Sequence, residues 1–133
     1  MLDEKDPGQS PIDEALMRGD VLSELCPSRT ILRQSTSRWG GLCLVVLRRG
    51  TRRFSELRSA IGGVSERMLA KALQDLVAHG LVERVSHPVV PPHVDYSLTP
   101  LGQEMAERVE SLASWIEANI HRFPAAAREE TAD

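Results

Sequence analysis

The sequence predicts a mainly α-helical fold that also contains a small β-hairpin, an α+β arrangement. Apolar residues recur every three or four positions from Leu101 to Ile120, which is the period of an amphipathic helix. Val94, Tyr96 and Leu98 alternate with polar residues, which indicates a strand with one buried face. The prolines just before that strand exclude an interior strand there and indicate the loop of a hairpin.

Helices are also predicted before the hairpin. Ser10 is a favourable N-cap residue and Pro11 suits the first helical position, so we expect a helix within an N-terminal extension, residues 1–25. The further segments expected before residue 55 are helices over residues 28–37 and 42–49 and a connector or very short strand over residues 51–54.

A helix-turn-helix unit is predicted from Ser55 onwards. Ser55 opens a helix as an N-cap residue, and a Gly-Gly pair at positions 62–63 breaks that helix. Ser65 caps the next helix, which should run to about His79, with Gly80 in the C′ position.

The second helix of this unit has two distinct faces. Its apolar stripe consists of Leu69, Ala72, Leu73 and Leu76. Arg67, Lys71 and Gln74 lie on the opposite face at helical spacing. Arginine and lysine can donate to guanine and glutamine can pair with adenine, so this face has the chemistry needed to read base edges.

Helix, short turn, helix and hairpin in this order constitute the winged helix-turn-helix arrangement. One helix holds a second so that its N-terminal part enters the major groove. We therefore expect double-stranded DNA as the partner of a sequence-specific DNA-binding regulator. The predicted DNA-contacting residues are Arg53, Ser55, Arg58, Ser65, Arg67, Lys71, Gln74 and His93.

Thr99 followed by Pro100 predicts the start of a long last helix, residues 99–120. Its apolar stripe exceeds what one core needs, so we expect it to dimerise and the homodimer to bind an inverted-repeat operator. A last helix that packs entirely within the monomer is the alternative. The winged domain, with this helix, is expected over residues 26–122, and a disordered tail over residues 123–133.

The net charge of −3 conceals an uneven distribution. Residues 1–24 carry seven acidic and two basic residues, and residues 72–133 carry ten acidic and four basic residues. Residues 26–71 carry ten basic and two acidic residues. A basic block of this kind is typical of a phosphate-binding surface, although a solvated arginine-rich face has the same composition.

These motifs, taken in order, resemble the HxlR family of bacterial regulators. The matching residues are Cys26-Pro27, Arg38-Trp39, Arg53 to Arg58, Val64 to Leu69, Leu73, Leu76, Gly80 to Arg84, Pro88 to Pro92, and Val94 to Gly102. The resemblance implies a dimeric repressor or activator with dimer contacts through the N-terminal and last helices. It implies residues 65–79 as the recognition helix and residues 88–93 as the wing tip. His93 stands where the family usually has a basic wing residue.

The family resemblance also implies a candidate redox sensor, because some members resemble thiol-based sensors with a cysteine that matches Cys26. Arg29 lies close to Cys26 in sequence, and a nearby positive charge favours a reactive thiolate. Cys43 stands in the most apolar segment and is expected to be an inert core residue. An oxidant or a small molecule is therefore the expected effector.

Several classes of function are not expected. The four histidines lack metal-ligand spacing along a helix, so we predict neither a metal site nor a cofactor. We find no catalytic Ser/His/Asp order and no phosphate-binding glycine loop, and therefore predict no enzyme. No apolar stretch approaches the ~20 residues of a membrane span, so we expect a cytoplasmic protein without a membrane partner.

Two other functions remain open from the sequence alone. The first is a metal- or ligand-responsive winged-helix regulator of another family, such as one similar to MarR or PadR proteins. The second is a winged-helix module that contacts proteins and does not bind DNA.

Overall fold

The computed structural model describes residues 10–18 and 27–129. Residues up to Arg33 and residues from Gln34 onwards form two separate units. The elements are α1 (Pro11–Arg18), α2 (Pro27–Ser35), α3 (Arg38–Leu47), β1 (Arg52–Arg53), α4 (Phe54–Ala60), α5 (Glu66–Ala78), β2 (Val82–His87), β3 (His93–Leu98), α6 (Pro100–Ala118), a 3₁₀ turn (Ile120–Arg122) and α7 (Ala125–Arg128). The prediction of a mainly α-helical chain with a small hairpin is confirmed. None of the helices in the described ranges has the length and apolarity that a membrane span requires.

The start of α1 agrees with the predicted N-cap. The backbone N–H of Asp13 donates to Ser10 Oγ at 3.3 Å, and the Ser10 N–H donates to Asp13 Oδ2 at 3.0 Å. This reciprocal pair satisfies two backbone donors that would otherwise lack partners at the helix start. The predicted end of this helix, at Cys26, lies outside the described residues.

Helix α3 begins at Arg38, earlier than the predicted residue 42. Ser37 is its N-cap, and its Oγ accepts from the backbone N–H of Gly40 at 3.1 Å. Because the cap lies before Trp39, this aromatic residue is helical and packs against the core. Trp39 Nε1 also donates to the sulfur of Met68 on α5 at 3.1 Å, which ties α3 to α5.

The prediction that Ser55 caps α4 is wrong by two positions. The N-cap is Arg53, whose backbone N–H donates to Glu56 Oε1 at 2.8 Å. Ser55 therefore lies in the first turn of α4, with its side chain exposed. The cap was missed because arginine is not a cap-forming residue and the stabilising contact comes from the third residue of the helix.

The turn and helix that follow agree with the prediction. Gly63 adopts a φ of +85°, which favours glycine and lets the chain reverse between α4 and α5. Ser65 Oγ accepts from the Met68 N–H at 3.1 Å and so caps α5. At the other end, Gly80 has a φ of +77° and its N–H donates to the Val77 carbonyl, the usual helix stop at a left-handed glycine.

The hairpin belongs to a three-stranded antiparallel sheet of order β1-β3-β2. Strands β2 and β3 pair from Val82 opposite Leu98 to His87 opposite His93. Strand β1 adds the third strand by pairing Arg53 with Asp95. Residues 51–54, predicted as a connector or a very short strand, therefore contain a strand.

The core of the unit that starts at Gln34 is formed by apolar residues of α3, α4, α5 and the sheet. Its most completely buried leucines are Leu44, Leu57, Leu69, Leu73, Leu76 and Leu81. Each such side chain contributes roughly 1.5–3 kcal/mol by leaving water. The first turns of α6 join this core closely, since a Cβ on Gly102 would overlap the backbone carbonyl of Leu81.

Helix α6 covers the core with its first half and leaves its second half exposed. Thr99 Oγ1 accepts from the Gly102 N–H at 2.9 Å, which confirms the predicted cap at Thr99-Pro100. Gly102 and Ala106 are buried, whereas the later stripe residues Leu112 and Ile116 are exposed. Helix α7 lies within residues 123–133, the tail for which disorder is predicted. That disorder stays a prediction, and so do the predicted domain bounds.

Candidate nucleic-acid interface

The exposed face of α5 carries three of the predicted DNA-contacting side chains. Leu69, Leu73 and Leu76 are at most 1% exposed and fix which side of α5 meets the core. Arg67, Lys71 and Gln74 lie on the other side and are exposed. The predicted amphipathic division of this helix is therefore confirmed, and the three polar residues form one continuous outer face.

Lys71 is held by a carboxylate on the same helix. Lys71 Nζ lies 2.9 Å from Asp75 Oδ1, and Asp75 Oδ2 accepts from Gln34 Nε2 at 2.6 Å. The lysine side chain is 71% exposed, so this ion pair contributes little to the free energy of folding. Another anion can therefore take the place of Asp75 beside Lys71. Asp75 thus positions the lysine without burying it.

Ser65 and Arg58 lie beside the start of α5. The Ser65 oxygen already accepts from the helix backbone, and its hydroxyl hydrogen stays available to donate. Arg58 Nη1 lies 3.3 Å from Glu66 Oε2, with both side chains exposed. Arg53 and Ser55, at the start of α4, are also exposed.

The structure adds Arg84 to this surface, a residue that our sequence reasoning did not include. Arg84 and Tyr96, which pair across the hairpin, line a depression of about 400 Å³ beside Gln74 of α5. An arginine here continues the polar face of α5 onto the sheet. The alternation of residues in β2 assigns Arg84 to one face of the strand. The pairing of Arg84 with Tyr96 follows only when the hairpin register is known.

His93 lies at the base of the wing loop and is part of a side-chain cluster. Its ring stacks on that of His87 with centroids 4.6 Å apart. His87 Nε2 lies 2.9 Å and His93 Nε2 4.0 Å from Asp95 Oδ2. Beyond them the loop exposes apolar side chains, with Val90 98% exposed. Sequence reasoning named His93 alone and did not bring these three residues together.

Of the two cysteines, Cys43 alone lies within the described residues. Cys43 is completely buried, and burial raises the pKa of its thiol to about 12, so it carries almost no thiolate at neutral pH. This agrees with the prediction of an inert core cysteine. Cys26, the candidate redox sensor, lies outside the described residues.

A second exposed surface lies on α6. Its apolar side chains are Leu112, Trp115, Ile116 and, just after the helix, Ile120, between 39% and 54% exposed. Leu112 and Ile116 join Leu42 and Val45 of α3 along a groove of about 260 Å³. This contiguous apolar surface is of the kind that marks protein–protein contacts.

A helix, a tight turn, a second helix with an exposed polar face and an antiparallel hairpin define a winged helix-turn-helix protein. The model of the HxlR-like helix-turn-helix family matches residues 35–123. The chain therefore belongs to the HxlR-like helix-turn-helix family, as the resemblance predicted.

Relatives of known class agree with this family. The chain is 55% identical over 112 residues to the HTH-type transcriptional regulator YtfH of Escherichia coli K12, covering 84% of this chain and 89% of that protein. The structure of the transcriptional regulator YtfH from Salmonella typhimurium is 56% identical and superposes with a TM-score of 0.75, covering 83% of this chain and 97% of that one. The redox regulator HypR in its oxidized form is 34% identical, with a TM-score of 0.65, covering 71% and 97%. The chain is thus a transcriptional regulator with a helix-turn-helix DNA-binding fold.

Proposed function

We propose that this protein binds a specific operator sequence in double-stranded DNA through α5. The observation that carries this proposal is the outer face of α5, where Arg67, Lys71 and Gln74 are exposed directly opposite buried leucines. A helix of this kind fits the major groove, which is roughly 12 Å wide. Arg67 and Lys71 then donate to guanine O6 and N7 or to phosphates, and Gln74 pairs with adenine.

The residues around α5 supply contacts that position the domain without reading sequence. The residues proposed for phosphate contacts are Arg53, Ser55, Arg58 and Ser65. Their exposure and their grouping at the starts of α4 and α5 support this role. His93 remains a proposed wing contact, and its contribution should be the smallest because its ring stacks on His87.

The second part of the proposal is a homodimer formed through the last helix, residues 99–120. The exposed apolar residues of α6 support it, since a second copy would remove Leu112, Trp115 and Ile116 from water. Two recognition helices then address the two halves of an inverted repeat, with half-sites roughly 34–36 Å apart. In this arrangement residues 26–122 are the winged domain and residues 1–25 an N-terminal extension that contributes further dimer contacts.

The third part of the proposal is an oxidant effector that acts on Cys26. The similarity to the redox regulator HypR supports this class of signal. Cys43 is unsuitable as the sensor because burial keeps its thiol protonated. Because the relatives are transcriptional regulators, we propose no enzymatic activity.

Selection of DNA from a random-sequence duplex pool tests the first part. The wild type, an Arg67→Ala/Lys71→Ala variant and a control, Arg122→Ala/Arg128→Ala, are compared at two salt concentrations. The control removes the same charge from exposed arginines away from α5. We expect an inverted repeat with the wild type and the control, weaker binding at higher salt, and no enrichment with the α5 variant.

Enrichment that survives in the α5 variant would refute the assignment of α5 as the reading helix. A wild type that enriches no sequence, with and without oxidant, would favour the protein-interaction module instead.

To test the effector, diamide is added to the wild type and to Cys26→Ser. The affinity for DNA should change in the wild type alone, and an equal change in both would exclude Cys26 as the sensor.

Sedimentation equilibrium tests the dimer. Leu112→Ser/Ile116→Ser should shift the protein towards monomer, because both side chains would be removed from the proposed interface. Val89→Ser/Val90→Ser is the matched control, since these wing-loop side chains are also exposed and apolar. A dimer that is equally stable in both variants would contradict the proposed interface.

A further inference from the structure

The β2–β3 hairpin brings two histidines and an aspartate together on one face. The strand register places His87 directly opposite His93, and Asp95 follows two residues later, so it lies on the same face as His93. One ligand atom from each of the three residues lies within 4.8 Å of the other two. This face points away from the core, because the alternating residues Tyr96 and Leu98 pack against the core.

We propose that His87, His93 and Asp95 form a binding site for one divalent transition-metal ion, with Zn²⁺ as the reference ion. Two imidazole nitrogens and one carboxylate oxygen are a donor set that zinc, cobalt and nickel accept. Three protein ligands leave a fourth tetrahedral position for water. This site lies outside α5 and does not depend on whether α5 binds DNA.

The observed distances are close to those of a bound site. Zinc ligands at 2.0–2.1 Å in a tetrahedron stand about 3.4 Å apart. His87 Nε2 is 2.9 Å and His93 Nε2 is 4.0 Å from Asp95 Oδ2, so the two pairs bracket that value. The ligand atoms of His87 and His93 lie within 4.8 Å of each other, so every pair is within about 1.4 Å of the tetrahedral spacing. Side-chain rotations can close these differences while the backbone register stays unchanged.

The ligands are accessible to an ion from solvent. Their side chains are 39%, 25% and 28% exposed for His87, His93 and Asp95, respectively. This partial burial limits the number of orientations that each ring can adopt, which lowers the entropic cost of binding. Val85 and Arg53 pair with Asp95 from the two neighbouring strands, and the Arg53 side chain is exposed, so its charge can stay in water.

An ion at this position connects the two ends of the wing loop. His87 is the last residue of β2 and His93 the first residue of β3, so residues 88–92 lie between two ligands of the same ion. Metal binding would therefore close the loop at its base. This is a local constraint, and it follows from the positions of the ligands alone.

Zinc titration of the metal-free full-length protein by calorimetry tests the site. The titration is done in a Cys26→Ser background, which removes the one cysteine whose surroundings are outside the described residues. The variants are His87→Gln, His93→Gln and Asp95→Asn, and the control is His121→Gln, an exposed histidine outside the cluster. Circular dichroism and thermal melting check that each variant folds.

We expect one equivalent of Zn²⁺ in the parent and the control, and binding at least about 10-fold weaker in each cluster variant. Co²⁺ should give the visible absorption of a four-coordinate ion in the parent, lost in His87→Gln/His93→Gln. Failure of the parent to bind a stoichiometric ion would overturn the proposal. So would unchanged binding in the cluster variants, which would place the ion elsewhere. DNA binding is not part of the readout, so this result is independent of the proposed operator recognition.

Discussion

Replacing Asp75 by asparagine should tighten DNA binding, because it releases Lys71 from its intramolecular partner. Asp75 accepts from Lys71 through Oδ1 at 2.9 Å and from Gln34 through Oδ2 at 2.6 Å. An asparagine can keep its oxygen towards Gln34, and its amide nitrogen, which cannot accept a hydrogen bond, then faces the lysine. Breaking an exposed ion pair of this type costs about 0.2–1 kcal/mol. Because Asp75→Asn removes this cost, the dissociation constant of the protein–DNA complex should fall roughly 1.4- to 5-fold.

Fluorescence anisotropy with the selected operator duplex measures this effect at two salt concentrations. A double-mutant cycle with Lys71→Ala then isolates the pair. Asp75→Asn should tighten binding in the wild-type background and have little effect once Lys71 is absent. An equal gain in both backgrounds would refute the reasoning, because the effect would then come from the general loss of a negative charge. Weaker binding by Asp75→Asn would refute it as well.

Three further predictions concern stability and thiol chemistry. Gly102→Ala should destabilise the fold by several kcal/mol in chemical unfolding because its Cβ meets backbone, whereas Gly62→Ala, where a Cβ meets nothing within 4 Å, should be close to neutral. The hydrogen bond from Arg49 holds the pKa of Glu110 below its ordinary value of 4.5. The stability that Glu110→Gln removes should therefore be fully present above that value and disappear as pH falls through the lowered pKa, which unfolding curves against pH would show. A variant with Cys43 as its only cysteine should resist alkylation until it is unfolded, and rapid labelling of the native protein would contradict its burial.

The parts of the fold that were predictable depend on local signals. Helix α5 has a serine cap at Ser65, a terminating Gly80 and an apolar stripe between them, and each signal acts within one or two helical turns. Helix α4 was misplaced because its cap, Arg53, is held by a side chain from within the helix. The side-chain types of residues 53–56 do not reveal that contact.

The parts that were missed depend on pairing between distant segments. Strand β1 has two residues, and it exists because Arg52 and Arg53 find partners in β3 more than 40 positions later. The cluster of His87, His93 and Asp95 likewise requires the hairpin register. A shift of one residue would send the residues of one strand to the other face. Spacing along a helix, the criterion used for the histidines, is irrelevant to ligands on paired strands.

The positions of the acidic residues resolve the contradiction between a net charge of −3 and a DNA-binding fold. Two carboxylates of the proposed interface are already engaged, Glu66 with Arg58 and Asp75 with Lys71. When DNA binds this face, phosphates take the place of these carboxylates beside Arg58 and Lys71. Each such exchange contributes less binding free energy than a phosphate contact by a cation without an intramolecular partner. The chain should hold random DNA weakly, so that base contacts by Arg67 and Gln74 contribute a larger share of operator affinity. In this view the interface acids lower total affinity, and removing them should tighten binding to every sequence by about the same factor and leave the preference for the operator unchanged.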